Sequence, residues 1–248
     1  MILLKSDDEI EKMREAGIIV AKVLGKLSRM LAPGIKTQQL DDEAARSIRS
    51  LGGKSAFLGY RGFPKSICAS INEEVVHGIP GEKRLKESDI ISIDIGVEKD
   101  GFYADAAITV GVGKISPDAE KLINTTKNAL TKAIRASIVG NRLFDISALV
   151  QKEAEANGFS VVREFVGHGI GTSMHEDPQI PNFGLSHKGP VLKAGMVLAI
   201  EPMINMGVAD VEVLNDGWTA VTVDRKPSAH FEHTVAITKE GPRILTEI

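Results

Sequence analysis

Apolar residues recur at helical spacing between residues 7 and 32. Ile10, Met13, Ala16, Gly17, Val20, Leu24 and Leu27 fall on one face, and Pro33-Gly34 ends the run. A second amphipathic helix is expected over about 38–51, with Thr37 as its cap and Gly52-Gly53 as its close. The texture then changes. Residues 66–76 and 89–98 are rich in Ile, Val and Ser between turn signals, which predicts strands, and a third strand is expected at 102–112. Pro117 suits the first turn of a helix reaching about 139, and another helix covers 144–156 before Asn157-Gly158. Strand-like segments return at 160–166, 196–205, 211–214, 219–224 and 230–238. Helix pair, strands, helix pair, strands: this order predicts an α+β fold, a single domain over 1–248 with pseudo-repeat halves of about 1–115 and 116–248.

Within this pattern four acids stand out, because they interrupt strongly apolar strands: Asp94 in Ile-Ile-Ser-Ile-Asp-Ile-Gly-Val, Asp105 in Phe-Tyr-Ala-Asp-Ala-Ala-Ile, Glu201 in Leu-Ala-Ile-Glu-Pro-Met and Glu232 in His-Phe-Glu-His-Thr-Val. A buried carboxylate needs a cation or strong donors. If Asp100-Gly101 makes a two-residue hairpin turn, Asp105 faces Gly96 and Asp94 is its diagonal neighbour. With a four-residue loop the two acids face each other. Both registers put them on one side of the ribbon. Asp216-Gly217 lies midway between Glu201 and Glu232, so an unbroken ladder would pair those two as well, although Pro202 and Pro227 argue against one. Facing carboxylates repel, and a shared divalent cation turns that repulsion into ligation. Four carboxylates with one imidazole form a hard, oxygen-rich set that suits Mn, Fe or Co better than a structural zinc.

Six histidines are available. His168 lies in Gly167-His168-Gly169-Ile170-Gly171, where glycines allow close backbone approach, His175 follows seven residues later, and His77 ends a strand. His187 and His230 are read as surface or internally satisfied residues. His233 should point to the face opposite Glu232. There is no His-Glu-x-x-His, Gly-x-Ser-x-Gly or phosphate-cradling Gly-x-x-x-x-Gly-Lys.

Composition narrows the class. The 248 residues are 43 % hydrophobic and 25 % charged, ordinary values for a globular protein with a sizeable core. A net charge of −3 predicts no strong attraction to nucleic acid or anionic membranes. The single cysteine, Cys68, rules out an internal disulfide and suits a reducing compartment. No apolar run approaches the roughly 20 residues needed to span a bilayer, and the start of the chain lacks a secretory h-region, so a cytoplasmic protein is expected.

These residues meet a known pattern. Ser70-Ile71-Asn72-Glu73 through His77-Gly78-Ile79-Pro80, Gly167-His168-Gly169-Ile170-Gly171, Ile200-Glu201-Pro202-Met203 and Phe231-Glu232-His233-Thr234 occur in an order and spacing that closely resembles the bacterial type I methionine aminopeptidases, over almost the whole chain. The resemblance implies the pita-bread fold and removal of an N-terminal methionine from peptides and nascent proteins. It implies two divalent metal ions (Co, Mn or Fe) held by Asp94, Asp105, His168, Glu201 and Glu232. It implies substrate contacts from His77 and His175, and a methionine pocket lined by Tyr60, Phe63, Cys68, Met174 and Trp218. In the expected hydrolysis Glu201 shuttles a proton, His175 stabilises the oxyanion and His77 positions the peptide. A monomer is the family precedent, and transient contact with the ribosome is left open. Ala104, where many relatives have glycine, and pocket residues such as Phe57 depart from the pattern and bear on fine substrate preference. Two alternatives share the fold: a proline-specific aminopeptidase or dipeptidase, and a non-catalytic binding module.

Overall fold

The computed structural model describes all residues, Met1–Ile248. Helix α1 (Asp7–Met30) begins with a capping box: the Ser6 hydroxyl accepts from the Glu9 N–H at 3.3 Å, and the Glu9 carboxylate accepts from the Ser6 N–H at 2.8 Å. Helix α2 (Thr37–Ser50) is capped at Lys36, one residue earlier than expected, and Thr37 is its first helical residue. The Thr37 hydroxyl instead donates to the Gly81 carbonyl at 3.2 Å and accepts from the Gly81 N–H at 2.8 Å, so a tertiary contact takes the side chain that a local cap would have used.

Strands β1 (Lys54–Ser55), β2 (Cys68–Ile71) and β3 (Glu74–Val76) precede the long hairpin of β4 (Ile90–Lys99) and β5 (Phe102–Gly111). Helices α3 (Pro117–Ala136) and α4 (Leu143–Ala156) follow. The remaining strands are β6 (Ser160–Val161), β7 (Gly167–Gly169), β8 (Glu176–Ile180), β9 (Val197–Ile200), β10 (Met203–Asn205), β11 (Val211–Val213), β12 (Ala220–Thr222), β13 (Ser228–His230), β14 (His233–Thr238) and β15 (Gly241–Ile244). The four expected helices form, with α3 ending three residues early. The expected strand over 66–76 breaks at Asn72, whose φ of 53° is left-handed. The expected strands over 196–205 and 230–238 each divide in two.

All strand pairs are antiparallel. A central β4 carries β1 and β2 on one edge and β5 on the other. A five-stranded sheet runs β15-β14-β9-β7-β8, and two three-stranded sheets run β13-β10-β6 and β11-β12-β3. The β4–β5 hairpin turns on Asp100 (φ 52°) and Gly101 (φ 83°), the two positive angles of a type I′ turn. Its register pairs Gly96 with Asp105 and Asp94 with Ala107, the two-residue alternative.

Helices α1 and α2 bury a core of Ile, Leu, Val and Ala against β4 and β5, and α3 and α4 bury a second core against the β9–β14 side. Each fully buried Leu, Ile or Val contributes about 1.5–3 kcal/mol, so these two cores fix the sheets firmly beneath the site. The sheets are sewn together along β5. Ala107 and Glu232 exchange backbone hydrogen bonds at 2.9 and 3.4 Å, and the Asp105 N–H donates to Thr234 Oγ1 at 3.0 Å. No helix is long and apolar enough to cross a membrane.

Candidate metal centre and substrate cleft

The seam along β5 is where the acidic residues meet. Asp94 and Asp105 come from the hairpin. Glu201 and Glu232 lie in a gap between two ladders: β9–β14 pairs Ile200 with His233, and β10–β13 pairs Met203 with His230. The register is the same on both sides of the gap, so Glu201 falls opposite Glu232. The expected facing of these acids is realised by an interrupted ladder, and Pro202, which has no N–H to donate, lies at the interruption.

His168 enters from β7, whose Gly169 has no room for a side chain: a Cβ there would lie 2.1 Å from the Asp177 carbonyl oxygen. His168 Nε2 lies 3.4 Å from Asp105 Oδ2 and 3.6 Å from Glu201 Oε1. On its far side Nδ1 lies 2.9 Å from the Gly169 carbonyl, an acceptor that fixes the Nδ1–H tautomer and turns Nε2 toward the acids. Thr234 Oγ1 donates to Asp105 Oδ1 at 2.9 Å. One ligating atom each from Asp105, His168 and Glu232 lies within 4.8 Å of the others.

The electrostatics describe a site built for positive charge. Burial, only partly offset by the charge of His230, raises Asp94 to about 7. Burial and then the Asp105 charge raise Glu232 well above the usual carboxylate range. Burial alone would lower His168, but Asp105 and Glu201 outweigh it and raise His168 to about 9. Asp94 Oδ1 is buried without any hydrogen-bond partner. An orphaned carboxylate oxygen beside three further acids and an inward-facing imidazole is the donor set that a hard divalent cation satisfies. The residues present therefore fit such an ion.

A cleft opens over this cluster. Its walls include Phe57, Tyr60, Arg61, Phe63, Cys68, His77, Met174, His175 and Trp218. Phe63 meets Trp218 edge-on at 5.1 Å and Phe57 at 6.5 Å. Cys68 sits opposite Asp94 across β2 and β4, and burial followed by the Asp94 and Glu232 charges pushes its thiol well above the ordinary value, so the wall it forms is neutral. His77, held at a left-handed φ of 61°, meets the Phe165 edge at 5.3 Å and Trp218 at 6.2 Å, and burial followed by the His230 charge lowers it to about 4. The His175 ring lies 4.3 Å from that of His168, and its Nδ1 is 2.8 Å from the Tyr60 hydroxyl.

All twelve residues singled out in the sequence reach this one cleft, and His187 lies exposed beside Asp145. His233 turns away, with Nδ1 bonded to Thr246 Oγ1 at 2.8 Å. His230, read from sequence as an ordinary satisfied residue, is instead buried 3.5 Å from Glu201, which corrects that reading. The available signal was strand alternation, which places residues 230 and 232 on one face. Thr234, at the same even spacing on the other side of Glu232, was also missed, and so was Arg61, which no sequence pattern marks.

Comparison with known proteins agrees with this geometry. Residues 11–239 match the model of metallopeptidase family M24. The chain is 55 % identical to a methionine aminopeptidase of Clostridium perfringens and 52 % identical to methionine aminopeptidase 1 of Bacillus subtilis, each over the full length of both chains. Among solved structures, a methionine aminopeptidase of Thermotoga maritima superposes with a TM-score of 0.99 at 46 % identity, again over the whole of both chains. A prolidase of Pyrococcus horikoshii shares the fold with a TM-score of 0.80 at 20 % identity, and the match covers 64 % of its length. The expected α+β pita-bread fold is borne out. A buried cluster of acids and one imidazole, set in this fold and matched from end to end, places the chain in metallopeptidase family M24.

Proposed function

We propose that this protein removes the N-terminal methionine from peptides and nascent proteins by metal-assisted hydrolysis of the first peptide bond. The observation that carries the reading is the junction of a carboxylate–imidazole cluster with a neutral, aromatic- and sulfur-lined cleft. Full-length relatives at 50 % identity and above that are named methionine aminopeptidases support it.

Asp94, Asp105, His168, Glu201 and Glu232 would hold two divalent ions of the Mn, Fe or Co class, with ligands drawn from both of the proposed halves, 1–115 and 116–248. When bound, such ions supply Lewis acidity and lower the pKa of water toward neutrality. The chain's own residues do the rest. Tyr60, Phe63, Cys68, Met174 and Trp218 receive the methionine side chain, whose thioether suits aromatic edges and a neutral thiol. Glu201 takes a proton from the attacking water and returns it to the leaving amine as the C–N bond breaks. With the Tyr60 hydroxyl donating to His175 Nδ1, His175 presents Nε2–H to the oxygen on which negative charge develops. His77 contacts the peptide beyond the scissile bond. The setting this reading implies is the cytoplasm, with a monomer acting on nascent chains.

Release of methionine from Met-Ala-Ser, and of alanine from Ala-Pro-Ala, by metal-stripped protein with and without added Mn²⁺ or Co²⁺ tests the reading. Metal-dependent cleavage of the first peptide alone is expected. Cleavage of the second alone would move the protein to a proline-specific activity, and cleavage of neither with metal bound would remove the enzymatic reading. His175→Ala should still bind metal yet lose roughly 10²–10³-fold in kcat. Unchanged turnover would take the oxyanion role from His175.

A further inference from the structure

His230 lies outside the proposed ligand set, yet it is 2 % exposed and its Nε2 is buried with no hydrogen-bond partner. That atom faces Glu201 Oε2 at 3.5 Å, slightly beyond hydrogen-bonding distance. The other oxygen of the same carboxylate, Oε1, is turned to His168 at 3.6 Å. Glu201 thus stands between two imidazoles, one proposed as a ligand and one not. The backbone of His230 is pinned on both sides: its N–H donates to Thr109 Oγ1 at 2.8 Å, and the Thr109 hydroxyl donates to its carbonyl at 2.8 Å. Pairing with Met203 on β10 fixes its place opposite the strand that leads out of Glu201. A buried ring nitrogen held this firmly needs an acceptor, and the acceptor in front of it is Glu201.

We propose that His230 is a positioning residue for Glu201. Its Nε2–H donates to Oε2 in the cation-loaded protein, which leaves Oε1 free toward the cation and fixes the plane of the carboxylate that carries the proton. The inference rests on the metal-centre reading above. Its physical basis is that a ligating carboxylate held by a neighbouring donor loses less orientational freedom when a cation binds. Removal of such supporting partners typically costs about 10–100-fold in metal affinity or activity. His230 is not itself assigned as a ligand, because its Nε2 faces Glu201 Oε2 at 3.5 Å and is the donor that holds that oxygen.

The test titrates Mn²⁺ into metal-stripped wild type, His230→Leu and His230→Gln by calorimetry, and measures kcat and KM for Met-Ala-Ser at saturating Mn²⁺. Leucine fills the space without a donor, whereas glutamine keeps an N–H. His230→Leu should weaken Mn²⁺ binding by about 10–100-fold and lower kcat with little change in KM, while His230→Gln should restore most of both. Equal Mn²⁺ affinity in wild type and His230→Leu overturns the inference and leaves the metal-centre reading standing. Failure of wild type to bind Mn²⁺ overturns both. Should His230→Leu fail to fold, the ring ¹⁵N resonances of wild type loaded with diamagnetic Zn²⁺ decide: a proton on His230 Nε2 supports the bond, and a bare Nε2 overturns it.

Discussion

Lys5→Met separates the N-terminal segment from the loop that carries Met174 and His175. Lys5 Nζ pairs with Glu176 Oε2, and the two side chains are only 6 % and 8 % exposed. The other oxygen of Glu176 accepts from the N–H groups of Thr172 at 2.9 Å and Ser173 at 3.2 Å, so one carboxylate ties that loop to the start of the chain. The lysine stem crosses Gly171, where a Cβ would come within 2.2 Å of Lys5 Cε, and the Lys5 N–H donates to the Gly195 carbonyl at 2.7 Å. Breaking a buried pair from one side costs about 3–5 kcal/mol, because the remaining charge is uncompensated. Methionine nearly conserves the volume and Glu176 retains its backbone donors, so the lower end, about 3 kcal/mol, is expected. At about 2–4 °C per kcal/mol for a chain of this size, the melting midpoint should fall by about 6–12 °C. The double variant Lys5→Met/Glu176→Gln should recover most of this, since an amide oxygen still accepts from residues 172 and 173 and no charge is buried. Urea unfolding gives the energies, and amide exchange at residues 172–175 gives the local effect. A loss below about 1 kcal/mol in the single variant, or no recovery in the double, refutes the reasoning that an uncompensated buried charge is the cause.

Two further outcomes follow from the buried titratable groups. Burial and then the Lys127 charge lower His233 to about 4. Its unfolded value is near 6.5, so its contribution to stability is complete above pH 6.5 and is lost as pH falls toward 4. Wild type should therefore lose about 1.4 kcal/mol per pH unit more than His233→Gln across that window, and parallel stability curves would contradict it. The raised, buried thiol of Cys68 should react with iodoacetamide at pH 8 at least about tenfold more slowly in the folded protein than in urea, read by mass spectrometry; equal rates would mean that the pocket wall is open.

What the sequence made legible depended on how local the cause was. The β4–β5 hairpin could be read to within two registers, both of which put Asp94 and Asp105 on one face, and the positive angles at Asp100 and Gly101 select the two-residue turn between them. Glu201 and Glu232 were half-readable. Their symmetric distance from Asp216-Gly217 carried the register, but two proline-interrupted ladders and an intervening β11–β12 hairpin hid how it is achieved. Strands β7, β8 and β15 could not be seen at all. Gly-His-Gly, Glu-Asp-Pro-Gln-Ile and Gly-Pro-Arg-Ile have little β propensity, and only pairing within the five-stranded sheet makes them strands. Thr37 went wrong for the same reason in reverse, a good local cap claimed by a distant glycine. His230 is the instructive miss. Residue type argued for a bland histidine, while its position two residues before Glu232 on a strand already required it to share that acid's face. In a site made of strand residues, the face is fixed before the chemistry is, so every polar residue at even spacing from a ligand belongs to the set of candidates.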